Sequence, residues 1–134
     1  MYLLEQMYVD KELPKGWKPY YIYAIMVENI KVGNIILRMG DREERYIDGH
    51  IGYSIDKAYQ GHHYAYLAME LCKDIAREKG FTELILTCDP SNVASKKTII
   101  KLNATYIETK IIPSHLKKYF NPEEKEKEIY IVTL

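Results

Sequence analysis

The stretch from Ile51 to Gly80 most narrows what this chain can fold into. Ile51-Gly52-Tyr53-Ser54-Ile55 reads as a short strand, and Asp56 to His63 reads as a turn containing Gly61. A long helix follows: Tyr64, Leu67, Ala68, Leu71, Ile75 and Ala76 recur at helical spacing, while Glu70, Lys73, Asp74 and Arg77 share the other side. Gly80 is its stop signal. The first N–H groups of such a helix have no partner inside it, and the aligned peptide dipoles place partial positive charge there. That geometry suits an anion, above all a pyrophosphate. Gly61 would let a ligand approach the backbone closely. The same residues also read as a plain turn, so the segments around them have to decide.

Downstream, Leu84-Ile85-Leu86-Thr87-Cys88 is a compact apolar run, expected to be a buried strand. Strand, helix and strand at this spacing imply a right-handed crossover and a parallel pair. Asp89-Pro90-Ser91-Asn92 supplies cap-forming residues around a first-turn proline, and a helix should run on from Ala94 to Leu102. Thr105 to Ile112 regains β character, residues 114–125 read as a polar connection, and Ile129 to Leu134 closes the chain as a strand. The alternating charges of Glu124 to Glu128 read as a solvated face or a strand entry. Upstream, Leu3, Leu4, Met7 and Tyr8 form one stripe and predict a short amphipathic helix over residues 2–9. Pro14, Gly16 and Pro19 leave a loop around Trp17. Strands are expected over Tyr20–Val27 and Lys31–Met39, joined by a turn at Glu28-Asn29.

At 134 residues the chain is expected to be one domain, 1–134, with a core of its own. Lys plus Arg and Asp plus Glu both number 19, so no global charge points to nucleic acid. No apolar run has membrane-spanning length, and no secretory leader opens the sequence. Cys72 and Cys88 fall inside a helix and a strand, which fits buried free thiols in a reducing cytoplasm. Neither sits at metal-ligand spacing, so no metal is expected.

With both segments in place, the sequence resembles the GNAT superfamily of acyl-CoA-dependent N-acyltransferases. Gln60-Gly61-His62-His63-Tyr64-Ala65 after the strand resembles that family's (Q/R)-x-x-G-x-(G/A) turn, and Asn92-Val93-Ala94-Ser95 resembles its N-x-x-(A/S) helix start. Leu13-Pro14-Lys15-Gly16-Trp17, Gly49 to Ile55 and Thr87-Cys88-Asp89 are similar to a bacterial branch of predicted acetyltransferases. The resemblance spans roughly residues 20 to 113. It implies an α+β (α/β) fold with a mixed, mostly antiparallel twisted sheet. Within it a parallel, splayed strand pair is joined by a crossover helix, with helices on both faces. It implies acetyl-CoA as cosubstrate, its pantetheine lying between the splayed strands against Ser54 and Ile55. The amides of Gln60, Gly61, His62, His63, Tyr64 and Ala65 would take the pyrophosphate, and Asn92 and Ser95 would reach the pantetheine or phosphate side. Against the family pattern, His63 stands where glycine is usual and His62 where Lys or Arg is common. Ile99 replaces the tyrosine that often protonates the departing thiolate, and Asn103 replaces a helix-ending glycine. The region before Tyr20 is short.

The implied reaction is attack by a primary amine, of a small molecule, peptide or protein, on the thioester. His50 is the first candidate base, since imidazole titrates near neutral pH. Tyr53 and Ser95 are candidate acids or acceptor-orienting groups, as is Tyr106. A backbone N–H near Tyr53 to Ile55 is the expected carbonyl-oxygen donor. Nothing beside Cys88 in sequence activates a thiolate, so packing is its expected role. The alternative reading is a CoA-binding or sensing module with little turnover. Asp41, Glu43, Glu44, Asp48 and Asp56 could attract a cationic amine or simply cover surface. An exposed terminal strand is compatible with a homodimer.

Overall fold

A computed structural model describes residues 1–134. Seven strands and two α-helices follow in the order β1 (Tyr2–Val9), β2 (Tyr20–Val27), β3 (Ile30–Arg38), β4 (Ile51–Ile55), α1 (Tyr64–Glu78), β5 (Glu83–Cys88), α2 (Val93–Lys101), β6 (Thr105–Ile111) and β7 (Glu126–Thr133). The expected α+β class holds, with every ladder antiparallel. The strands divide into two sheets, β1-β2-β3-β4 and β5-β7-β6.

The N-terminal segment departs from expectation. Tyr2–Val9 is an edge strand paired to β2, not a helix, with a register shift between Glu5 and Met7. That shift breaks the two-residue alternation a strand would otherwise show, and the broken alternation imitates helical spacing. Glu28 and Asn29 both have positive φ, 50° and 65°, as a tight hairpin turn between β2 and β3 requires.

The splayed pair also takes its own form. β4 and β5 share no ladder; they belong to different sheets and meet at one end. There the His50 N–H donates to the Ile85 carbonyl at 2.8 Å, and the two strands line opposite sides of a cleft beyond it.

Two apolar clusters hold the halves together. The larger joins Ile35, Leu37 and Ile51 of the first sheet to Ala68, Met69 and Cys72 of α1. It also takes in Leu84, Leu86 and Tyr130 of the second sheet and Ile99 and Leu102 of α2. Both α-helices thus feed one core. The smaller cluster, Ile47, Ile85, Ile112 and Ile129, lies under the 40–49 loop and a 3-10 helix at Ser114–Tyr119, through Leu116 and Phe120. The alternation of β5 explains the division: Leu84 and Leu86 face one way and Ile85 the other. Strand β7 runs between β5 and β6, so the last strand is central. The edges outside the contact between the two sheets are β1 and β6. No helix is long and apolar enough to cross a membrane.

Candidate functional site

The cleft between β4 and β5 has a volume of about 1150 Å³, room for a ligand of cofactor size. Its walls follow from the ladders. The Arg38 N–H donates to the His50 carbonyl and the Asp56 N–H to the Val32 carbonyl. In antiparallel alternation the even residues 50 to 56 therefore bond to β3, while Ile51, Tyr53 and Ile55 turn their N–H and C=O groups away from it. Those groups line the cleft. Across from them, Ile85 directs both its N–H and its C=O at His50, so the next residue in phase, Thr87, faces the cleft as well.

The turn after β4 is tied down locally. Gln60 Nε2 donates to the Ile55 carbonyl at 3.0 Å, and Gly61 has φ +89° with open space where a side chain would stand. His63 precedes α1 in the left-handed region, φ 61° and ψ 20°, with no side-chain cap on the helix. The histidine thus adopts, at some steric cost, a backbone shape that glycine takes freely. The first-turn amides of α1 keep no side-chain partner, and no acidic residue neutralises them. Gln60 and Ala65 line the cleft, while Gly61, His62 and His63 are exposed at its mouth and Tyr64 is half-buried, with His62 and Tyr64 stacked at 5.3 Å.

On the other wall α2 begins. Asn92 Oδ1 accepts from the Ser95 N–H at 3.1 Å, an N-cap. The Ser95 hydroxyl lies 2.9 Å from the Tyr53 hydroxyl. Tyr53, Ser95, Ser54, Ile55, Gln60, Ala65 and Asn92 thus line one cleft.

His50 is not among them. The residue is 2% exposed, with Nε2 2.9 Å from the Gly40 carbonyl and Nδ1 accepting from the Ile85 N–H at 2.9 Å. An amide can only donate, so Nδ1 must be bare and Nε2 must carry the hydrogen. Both nitrogens are spent on the backbone, and Phe81 packs edge-on at 5.1 Å. Burial, above all, pushes its pKa below the ordinary histidine value. The residue expected to be the base is a clamp between the 40–49 loop, β4 and β5.

One more expectation is corrected. Tyr106 lies on exposed β6 with its hydroxyl on Thr109, away from the cleft. Cys88 borders the cleft, but burial raises its thiol to about 11, which keeps it protonated. Ile99 is 2% exposed within the core. The acidic group is largely engaged internally: Asp41 and Glu44 cap each other's N–H, Glu44 pairs with Lys18, and Asp48 pairs with Arg45. Sequence reasoning missed the far wall, made of Trp17, Tyr20, Arg38 and the 3-10 helix with His115 and Tyr119. The one available signal was Arg38, a charged residue directly after the apolar run Ile35-Ile36-Leu37.

The model of the acetyltransferase (GNAT) domain family matches residues 4–105. The chain belongs to that family. Among solved structures it resembles an acetyl transferase from Salmonella typhimurium that modifies the N-terminal serine of ribosomal protein L7/L12. The TM-score is 0.68 at 16% identity, covering 90% of this chain and 66% of that one. A microcin C7 self-immunity acetyltransferase bound to acetyl-CoA and AMP gives 0.67 at 17% identity, with 86% and 61% covered. A GNAT-family acetyltransferase from Bacillus anthracis gives 0.62 at 21%, with 85% and 65% covered. The chain spans about two thirds of the length of these structures. Among curated proteins none matches.

Proposed function

We propose that the chain is an N-acetyltransferase moving an acetyl group from acetyl-CoA to a primary amine by direct attack. The observation that carries this is the unpaired inner edge of β4, facing β5 across the cleft and ending beside the uncapped start of α1. A thin molecule with amide groups and a pyrophosphate fits such an edge, because strand N–H and C=O groups can pair with it and the helix start takes the anion. Ile51, Tyr53 and Ile55 would hold the arm, and residues 60–65 the phosphates, with Asn92 and Ser95 on the opposite wall. No cluster of metal ligands is present for metal-assisted chemistry.

Acetyl-CoA would supply the activated acyl group. The amine nitrogen bonds to the thioester carbonyl carbon, the C–S bond breaks, and the thiol departs with the proton that the amine gives up. The Tyr53 N–H is placed to donate to the carbonyl oxygen, since it points into the cleft rather than at β3. The Tyr53–Ser95 hydroxyl pair, beside the same wall, would relay that proton to the leaving sulfur. A thiol with a pKa near ~8.5 leaves without a strong acid, so Ile99 at the tyrosine position does not bar the reaction. The two free cysteines support a cytoplasmic setting, where thiols stay reduced.

The second reading is a CoA-binding module without efficient turnover, favoured by the engagement of both His50 nitrogens, which removes that residue as a base. Calorimetry with acetyl-CoA, followed by thiol release over an amine panel, separates the two. Binding with no release selects the module. Gly61→Glu, which puts a carboxylate at the phosphate position, should weaken acetyl-CoA binding at least about tenfold by charge repulsion alone. Undiminished binding in that variant would show that the phosphates lie elsewhere.

A further inference from the structure

Two arginines border the cleft, and they differ in one respect. Arg45 is saturated: Nε donates to the Met39 carbonyl, Nη1 to Asp48 Oδ2 and Nη2 to the Lys18 carbonyl, with Trp17 over its face. Arg38 is not. Its Nη1 donates to the Asp48 and Gly49 carbonyls, both at 3.2 Å, while Nε and Nη2 have no partner in the protein and no carboxylate pairs with it. These two nitrogens are not sealed away either, since the only buried side-chain atom left without a hydrogen bond is Glu124 Oε2.

The place of this half-satisfied fork is built. A Cβ on Gly52 would stand 2.8 Å from Arg38 Nη2, so the guanidinium lies in space that only glycine leaves free. Gly52 and Arg38 share the face of the first sheet opposite the helices, with Ile22 and Ile36 beside them. Tyr53, one residue on, faces the other way, toward Ser95. The cleft, lying between the two sheets, therefore opens on both faces of the first. The acyl donor's proposed contacts lie on the helix side, and the free guanidinium edge lies on the far side, next to the same strand. Burial lowers the Arg38 pKa more than any neighbour raises it, as for a cation short of counter-charge.

Resting on the acetyltransferase reading, we propose that Arg38 is the acceptor's anchor. Its Nε–Nη2 edge takes a carboxylate, so the amine acetylated is one that carries a carboxylate a few bonds away. That carboxylate belongs either to a free amino acid or to an acidic side chain near a peptide N-terminus.

The test compares each amine with its uncharged twin. Amino acids are paired with their amides, and Ala-Asp peptides with Ala-Asn peptides, with kcat/KM read by thiol release from acetyl-CoA. The acid should exceed its twin about tenfold or more, as a charge-assisted fork is stronger than a neutral contact. Whichever pair shows the gap identifies the source. Arg38→Gln should erase the gap by raising KM for the acid, and Arg38→Lys should restore part of it. Gly52→Ala, which only displaces the flexible guanidinium tip, should shrink it. Equal rates for acid and twin in the unmodified protein, or a gap that survives Arg38→Gln, overturn the proposal. If no amine turns over, the acetyltransferase reading falls separately. The anchor is then read by calorimetry on the CoA-loaded protein, which must bind the acid and not the amide, or the anchor falls too.

Discussion

At the scale of single residues, His50 and Tyr53 show how two polar side chains three positions apart take opposite roles. His50 is held neutral because a proton on Nδ1 would face the Ile85 N–H. Its folded pKa is lowered, so on acidification the unfolded chain takes up the proton first. Stability is therefore full above the unfolded value of about 6.5 and falls as pH drops below it. Thermal unfolding midpoints should decline between about pH 7.5 and 5.5. His50→Gln should start lower and decline less. The exposed His62, His63 and His115 are common to both proteins, so parallel slopes would reject the clamp. Tyr53 is the reverse case, a hydroxyl held by Ser95 at the cleft. Tyr53→Phe should lower kcat by about tenfold, less than the usual hundredfold or more for a proton donor because the leaving thiolate is already tolerable. Acetyl-CoA affinity should stay within about twofold. A loss of affinity with kcat unchanged would make the tyrosine a binding group only.

At the scale of elements, the approach of β3 to β4 sets the cleft wall. Gly33 pairs with Ile55, and a Cβ on it would overlap the Ser54 carbonyl oxygen, which is backbone and cannot swing aside. Gly33→Ala should cost about 1–3 kcal/mol, the range for overpacking, measured by denaturant unfolding. It should also weaken acetyl-CoA binding, because β4 carries the inner edge. An alanine variant as stable as the parent would mean that these strands part without penalty. The same elements show what the chain discloses before folding. The β4-turn-α1 unit is local, and the periodicity of Tyr64 to Ala76 with Gly61 and Gly80 punctuates it completely. Asn103, at φ 63°, takes the left-handed shape expected after α2. Residues 2–9 are not readable locally, because the bulge at Glu5–Met7 and the pairing with β2 are set by partners that begin at Tyr20 and lie beyond the intervening loop. The far wall with Arg38 and the fate of His50 depend on where the 40–49 loop and Ile85 come to lie. No window of sequence contains both.

At the scale of the whole molecule, two sheets meet at one end and part at the other. The shared apolar core and the His50 clamp hold them, and between Tyr53 and Thr87 nothing joins them. A ligand bound there touches both halves. It must then stabilise the fold as a unit, by about 2.7 kcal/mol at a hundredfold excess over Kd. The location of that stabilisation is sharper than its size. The Ile51, Tyr53 and Ile55 amides point away from β3 and so lack a ladder partner, and they should exchange with solvent early. On adding acetyl-CoA their hydrogen exchange should slow together with that of Thr87 and the first turn of α1. The amides of β7, already bonded on both flanks, should change little. Slowing at the start of α1 alone would describe a phosphate site with no arm in the cleft. Uniform slowing across every strand would describe general tightening. Only the pattern confined to the facing edges and the helix start corresponds to a molecule lying between the sheets, and backbone-resolved exchange measures it directly.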